Sequence, residues 1–222
     1  MLGIGRYDRA GDDRIDVGEG CRGRAARRDA ANQDRRRTYL QVATGLLLDD
    51  MKSLDSQWDL SNASSYGAQL VAAKPKDSLT KIYRGFSQMA ISELFYERMD
   101  NPFISQDRKD EESCFSENTL VDLINNALGV EDVYLGRYQS MQGPSISDLV
   151  KAKDGALDAQ VRRELAAVRA AIEAIPPPFD HAVLAPAGSP EHMAVQAAVD
   201  AFSPVQMTLD QAATLLGIVN NL

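Results

Sequence analysis

The sequence predicts an all-α fold, an antiparallel helical bundle, from about residue 38 to the carboxyl terminus. Apolar residues recur there at spacings of three and four, the period of one face of an α-helix. Capping residues, proline and turn-rich runs separate these segments. No segment alternates apolar and polar residues as a half-buried strand does. Helices must therefore supply the core.

The first two predicted helices flank a polar turn. The apolar face of the first consists of Leu40, Ala43, Leu47, Met51, Leu54 and Trp58, and the turn-rich stretch DLSNASSYG follows it. The second begins at Asp77 or Ser78, either of which can cap free N–H groups. It runs to about Met99, and we expect Pro102 to end it because proline disfavours helical geometry at Asn101.

The next two helices are shorter. One is expected to begin with Ser116 as its N-cap and to end at Gly129, which suits a C-terminal cap. The other is marked by Ser145 and Asp148, which have the spacing of a capping box.

The carboxyl-terminal third contains two long helical regions. The first covers residues 156–175 and ends at the stretch PPPFD. The second begins at Ser189, with Pro190 at the first helical position. Pro204 falls inside this region, so we expect a kink or two abutting helices there.

Composition divides the chain into a basic segment, residues 1–34, and a helical domain, residues 35–222. Arg, Gly, Asp and Ala dominate the basic segment, which has too few apolar residues to form a core. It is interpreted either as disordered or as translated out of frame. The whole chain has a net charge of −8. An acidic body argues against binding to nucleic acid and is compatible with attracting cations.

Several common signals are absent from the sequence. It contains no His-Glu-x-x-His, no Cys-x-x-Cys and no phosphate-binding glycine loop. Its two histidines, His181 and His192, are expected at the surface. No apolar run is long enough for a transmembrane segment, and the first residues have no apolar core of a signal peptide.

Two carboxylates near the end of the second helix are the first candidate site. Helical spacing continues its apolar stripe onto Glu93 and then Glu97. A buried carboxylate is costly unless it is paired, metal-bound or protonated, and two like charges one turn apart attract a cation. Arg98 can pair with either acid. The alternative is that the helix leaves the core there and water solvates both acids.

Four polar residues around the next helix start are the second candidate site. They are Ser113, Ser116, Asn118 and Asp122. The free N–H groups of a helix N-terminus favour anions. The alternative is that these side chains only cap the helix.

Taken in order, the stretches SELFYERM and DEESCFSENTLVDLINNALGVEDVYLG resemble the second half of the imelysin family, also called insulin-cleaving-peptidase-like proteins. The family pattern reads roughly Glu-Leu-x-x-Glu-Arg-Met, then Ser-x-Phe-Ser-Asp-Asn-Thr-x-x-Asp, then an Asn and Gly-x-x-x-x-Tyr-x-Gly. The matching residues are Glu93, Leu94, Glu97, Arg98, Met99, Ser113, Phe115, Ser116, Asn118, Thr119, Asp122, Asn126, Gly129, Tyr134 and Gly136. Glu117 replaces the usual Asp, and the resemblance covers about residues 32–222.

The resemblance implies two helical lobes, related as a degenerate repeat, with a site in the cleft between them. Family members are bacterial envelope proteins, several of them linked to iron uptake, which implies a location in the envelope or periplasm. Their hallmark, Gly-x-His-x-x-Glu, places His and Glu on one helix face and suits a metal. This sequence lacks it. We therefore expect a truncated or frame-disrupted member that retains the carboxyl-terminal lobe.

The resemblance also assigns roles to the candidate residues. Glu93 and Glu97 would face the cleft, with Arg98 balancing their charge and the Ser116 region closing the edge. Glu93 would be the metal ligand, for iron or another divalent cation, or part of a site for a small polar ligand.

Three functions remain open at this point. The first is an envelope domain for iron uptake or cation binding. The second is a non-catalytic bundle that binds a partner or self-associates through an exposed lobe face. The third is a metallopeptidase, for which the sequence shows no metal motif.

Overall fold

The computed structural model describes residues 32–219 of the 222-residue chain. The prediction of disorder or out-of-frame translation for residues 1–34 therefore lies almost entirely outside the described residues. Within them all the regular secondary structure is helical apart from one short hairpin, so the all-α prediction is confirmed. None of the described helices is long and apolar enough to cross a membrane.

The elements follow one another along the chain. They are α1 (Gln33–Gln57), α2 (Tyr66–Ala72), α3 (Pro75–Gln88), a π-helix (Met89–Asp100), α4 (Asn101–Ser105), a 3₁₀ turn (Arg108–Asp110), α5 (Thr119–Leu135), β1 (Arg137–Tyr138), β2 (Met141–Gln142), α6 (Ile146–Lys153), α7 (Gly155–Glu173), α8 (Phe179–Val183), α9 (Pro190–Ala201) and α10 (Val205–Leu215). The strands β1 and β2 pair antiparallel. The sequence patterns did not predict α2, α8 or this hairpin, which are short elements with little periodic signal.

Helix α7 is the centre of the bundle. It packs against α5, α6, α9 and α10. Its buried face carries the apolar residues at the predicted spacing, Val161, Leu165, Val168 and Ile172. This periodic burial explains why α7 was predicted almost to its exact ends.

Polar side chains fix several helix ends in the carboxyl-terminal half. Ser145 and Asp148 form the predicted capping box at α6. The Ser189 side chain accepts a hydrogen bond from the backbone of His192 at the start of α9. The predicted interruption at Pro204 separates α9 from α10. At these three positions the helix ends predicted from the sequence are the ones that the structure contains.

Helix α5 differs from its predicted limits at both ends. Its N-cap position is Asn118 rather than Ser116, because Glu117 adopts a left-handed conformation with φ 53°. The predicted cap Gly129 lies inside the helix, which continues to Gly136 at φ 62°. The burial of Tyr134 beyond Gly129 stabilises the longer helix and outweighs the low helix propensity of glycine.

The prediction that Pro102 ends the second helix is wrong. The π-helix leads directly into α4, and Asn101 keeps helical geometry. The backbone N–H of Asn101 bonds to the carbonyl of Tyr96, five residues earlier. Because the hydrogen-bond register changes here, Pro102 stands in the first turn of a new α-helical segment, where proline is tolerated. The turn comes later, at Gln106 with φ 51°.

Helix α1 is a long helix with no buried residue. Its apolar face exists as predicted but faces solvent, in contrast to the faces of α3 and α7. At its end the rings of Trp58 and Tyr66 meet edge to face, with centroids 5.4 Å apart. A Cβ on Gly67 would lie 3.1 Å from the Trp58 backbone, so this corner is closely packed.

Candidate functional site

The π-helix determines where the first pair of candidate carboxylates lies. Its buried side carries Ile91, Leu94 and Met99, with steps of three and five residues instead of the α-helical three and four. This register moves Glu97 onto the exposed side, while Glu93 is half-buried. An α-helical period extrapolated from α3 cannot anticipate the shift.

Arg98 is the centre of a charged group that joins three elements. Its guanidinium contacts the Glu93 carboxylate at 3.4 Å and the Glu112 carboxylate at 2.9 Å. Asn126, on α5, donates a hydrogen bond to the other oxygen of Glu112 at 3.1 Å. We call Glu93, Arg98, Glu112 and Asn126 the Arg98 cluster. It links the π-helix, the loop before α5 and α5 itself.

The second candidate set forms a hydrogen-bonded turn at the start of α5. Ser113 Oγ donates to one oxygen of Asp122 at 2.5 Å, and Asn118 Nδ2 donates to the other at 2.7 Å. Ser116 is exposed and donates to the carbonyl of Ser113 at 3.2 Å. Both oxygens of Asp122 are therefore engaged in holding the loop.

Glu111 is a buried acid that sequence patterns did not distinguish from its neighbours in the acidic run. Thr119 Oγ1 donates to its Oε2 at 3.0 Å, while its Oε1 is buried and has no hydrogen-bond partner. Burial raises the pKa of Glu111 to about 7, and the hydrogen bond from Thr119 opposes that rise. The negative charge of Asp180 raises this pKa further, and Arg108 lowers it.

The same loop also presents an exposed aromatic ring. Phe115 is 76% exposed, whereas the preceding residue, Cys114, is buried. It belongs to the Ser-x-Phe-Ser pattern and lies within a few residues of Glu112.

Neither histidine belongs to the Arg98 cluster or to the loop before α5. His181 belongs to α8, and His192 lies in the first turn of α9 with its ring 4.9 Å from that of Phe103. His192 Nδ1 is buried and has no hydrogen-bond partner, so this side chain is less exposed than the expected surface position.

The donor set of the described chain does not form a metal centre by itself. Across residues 32–219, no three His, Cys, Asp or Glu side chains are grouped so that they could hold a metal ion. Glu93 has Arg98 as its charged partner. The Arg98 cluster thus offers two carboxylates around one guanidinium, an arrangement that can exchange an internal ion pair for a charged or polar ligand.

Comparison with known proteins relates the chain to a family and to a curated relative. The family model for imelysin matches residues 12–205. Iron-regulated protein A of the cyanobacterium Synechococcus elongatus is 28% identical over 177 residues, which are 75% of this chain and 49% of that protein. The chain thus spans about half the length of the curated relative it matches. The family match begins within the basic segment, residues 1–34.

Proposed function

Since the chain belongs to the imelysin family, we propose that it is a helical lobe of an iron-related envelope protein. Two findings support the proposal. The family match covers most of the chain, and the curated relative is named for its regulation by iron. We further propose that the Arg98 cluster is this lobe's part of a site for iron, another divalent cation or a small polar ligand.

The observation that carries this proposal is the position of Glu93 and Glu112 on either side of Arg98. The side chain of Glu93 is 43% exposed and that of Glu112 is 26% exposed, so ligands can reach both carboxylates. A cation that binds there competes with the guanidinium for the same oxygens. Other ligands must complete a metal site, since the described residues provide too few.

In this proposal the remaining candidate residues do not bind the ligand directly. They hold the loop that carries Glu112 or add negative charge near the site. Ser113, Asn118 and Asp122 fix the loop that carries Glu112. Ser116 lies exposed on that loop, and Glu97 lies on the open side of the π-helix, where it adds negative charge. Glu93, Glu97 and Glu112 together outnumber the positive charge of Arg98, and this net negative charge favours cations over anions.

Calorimetric titration with ferric, ferrous and other divalent ions, each in turn, tests the proposal. Because Arg98 competes with the cation, Arg98→Met is expected to bind cations more tightly than the unmodified chain, by about tenfold. Glu93→Gln is expected to weaken binding by a similar factor. Glu173→Gln is the matched control, because Glu173 also pairs with an arginine, but on α7. Equal affinities in all four proteins, or no binding in any, would contradict the proposal.

The envelope location needs a separate experiment. Fractionation of cells that express the full-length gene is expected to place the protein with envelope or periplasmic markers. Recovery with cytosolic markers alone would reject this part of the proposal and leave the cation site to be judged by calorimetry.

A further inference from the structure

Among the described residues, helix α1 carries more exposed large apolar side chains than any other element. These side chains and that of Trp58, which follows the helix, are between 51% and 77% exposed and lie on more than one side of α1: Tyr39, Leu40, Val42, Leu46, Leu47, Leu48, Met51, Leu54 and Trp58. An isolated helix is only marginally stable in water unless an apolar face packs against something. None of the described residues buries the apolar side chains of α1, and an exposed apolar surface of this extent is typical of one that packs against another surface.

The apolar stripe of α1 is symmetric about Leu47. Leu40 and Leu54 each lie seven residues from Leu47, and Ala43 and Met51 each lie four residues from it. When two copies of such a helix pack antiparallel on a two-fold axis at Leu47, Leu40 of each faces Leu54 of the other. The small Ala43 then faces the long Met51, which allows close packing.

The ends of the stripe extend this symmetry. Arg36 and Trp58 both lie eleven residues from Leu47, and Trp58 is exposed. Antiparallel pairing therefore brings each arginine to the indole of the other copy, where a cation–π contact is favourable. The 25-residue helix provides about 37 Å of contact length.

Charge also selects the antiparallel direction. The amino-terminal part of α1 contains three arginines and one aspartate, at residues 34–37. The carboxyl-terminal part contains three aspartates and one lysine, at residues 49–55. Antiparallel pairing places the basic end of each helix against the acidic end of the other, whereas parallel pairing places like charges together.

From this symmetry and charge pattern we propose that α1 is a homodimerisation helix that pairs antiparallel with α1 of a second copy of this chain. The proposal does not depend on the Arg98 cluster, which lies on other elements. The alternative is that α1 folds back and packs against the bundle of its own chain. A cavity of about 460 Å³, lined by Trp58, Ile82, Phe86, Met89 and Val133 among others, lies beside the end of α1 and could receive a folded-back helix.

Light scattering with size-exclusion chromatography on the full chain tests the proposal. The unmodified chain is expected to be a dimer, and Leu47→Lys is expected to weaken dimerisation at least tenfold. Because Leu47 is exposed, this change should leave the bundle folded, which circular dichroism would verify. Gly45→Lys is the matched control, because Gly45 lies on the opposite face of α1 and a side chain there meets no atom within 4 Å.

Disulfide trapping tests the direction of pairing, in a Cys21→Ser background where the remaining Cys114 is buried. Chains with Leu40→Cys are expected to cross-link with chains carrying Leu54→Cys and not with each other. A monomeric unmodified chain, a dimer insensitive to Leu47→Lys, or cross-linking of Leu40→Cys chains with one another would overturn the proposal. A monomer is also the result expected if α1 folds onto its own chain.

Discussion

Tyr134 and Asp158 join the two central helices through a buried hydrogen bond. The Tyr134 hydroxyl donates to Asp158 Oδ1 at 3.0 Å, and the Ser147 hydroxyl donates to the same oxygen. All three residues are buried, and burial raises the pKa of Tyr134 far above its usual range. This group connects α5, α6 and α7 and therefore holds the bundle together.

Removal of the Asp158 carboxylate is expected to destabilise the fold. Asp158→Ala leaves two buried hydroxyls without an acceptor, so we expect a loss of about 3 kcal/mol in the free energy of unfolding. Tyr134→Phe leaves the Ser147 hydrogen bond in place and should cost about 1–2 kcal/mol. Urea unfolding would measure both. A change below about 0.5 kcal/mol in Asp158→Ala would show that the network contributes little.

Gly129, inside α5, and Gly136, at its C-cap, are expected to respond in opposite ways to replacement by alanine. A Cβ on Gly136 would lie 2.7 Å from the carbonyl oxygen of Pro144, at a left-handed φ of 62°. Gly136→Ala should therefore destabilise the chain by about 2 kcal/mol or more. Gly129→Ala has open space within a helix and should stabilise by about 0.5–1 kcal/mol. Thermal unfolding would show whether each variant is less or more stable than the unmodified chain. A change in the same direction for both variants would contradict the assignment of Gly136 as the helix terminator.

Glu111 is expected to make stability depend on pH. Its folded-state pKa of about 7 lies above the ordinary value of 4.5, so the folded chain holds the proton more tightly than the unfolded chain. The resulting stability is complete below pH 4.5 and is lost as the pH rises to about 7. We expect this contribution to be about 1–2 kcal/mol after allowance for partial hydration.

Glu111→Gln should remove that contribution to the pH dependence and raise stability at pH 8. Urea unfolding at pH 5 and pH 8 compares the two proteins, and Glu97→Gln serves as the exposed control. If the variant and the unmodified chain lose the same stability between these pH values, Glu111 is not the responsible group.

The two ion pairs of Arg98 are expected to differ in strength. The contact with Glu112 is shorter than that with Glu93, 2.9 Å against 3.4 Å, and Glu112 is the less exposed acid. Double-mutant cycles should give a coupling of about 1 kcal/mol for Arg98 with Glu112 and below about 0.5 kcal/mol with Glu93. The reverse order would show that Glu93 is held in place and cannot exchange Arg98 for a ligand.

Sequence periodicity predicted the parts of the fold in which helices stay α-helical and one face is buried. Helix α7 is the clearest case, with Val161 to Ile172 buried at regular spacing. The capping box at Ser145 was predictable because its chemistry is local. Where the register changed, in the π-helix, the same period led to Glu97 being placed on the buried stripe.

The candidate site could be predicted only in part. The acids and Arg98 were evident as residues, but their partners depended on how the loop before α5 folds. Glu112, Asn126 and Glu111 come close to these groups through tertiary contacts that no spacing encodes. In the matched pattern, Tyr134 and Gly136 have structural roles, as a buried hydrogen-bond donor and a helix terminator.

The position of Trp58 affects how unfolding can be observed. It is the single tryptophan of the chain and lies, half exposed, at the corner between α1 and α2. Its fluorescence therefore reports the attachment of α1, while ellipticity reports all helices. Denaturation curves followed by these two signals should separate, with the emission change at lower urea, because α1 has no buried residue whereas α7 has a buried face.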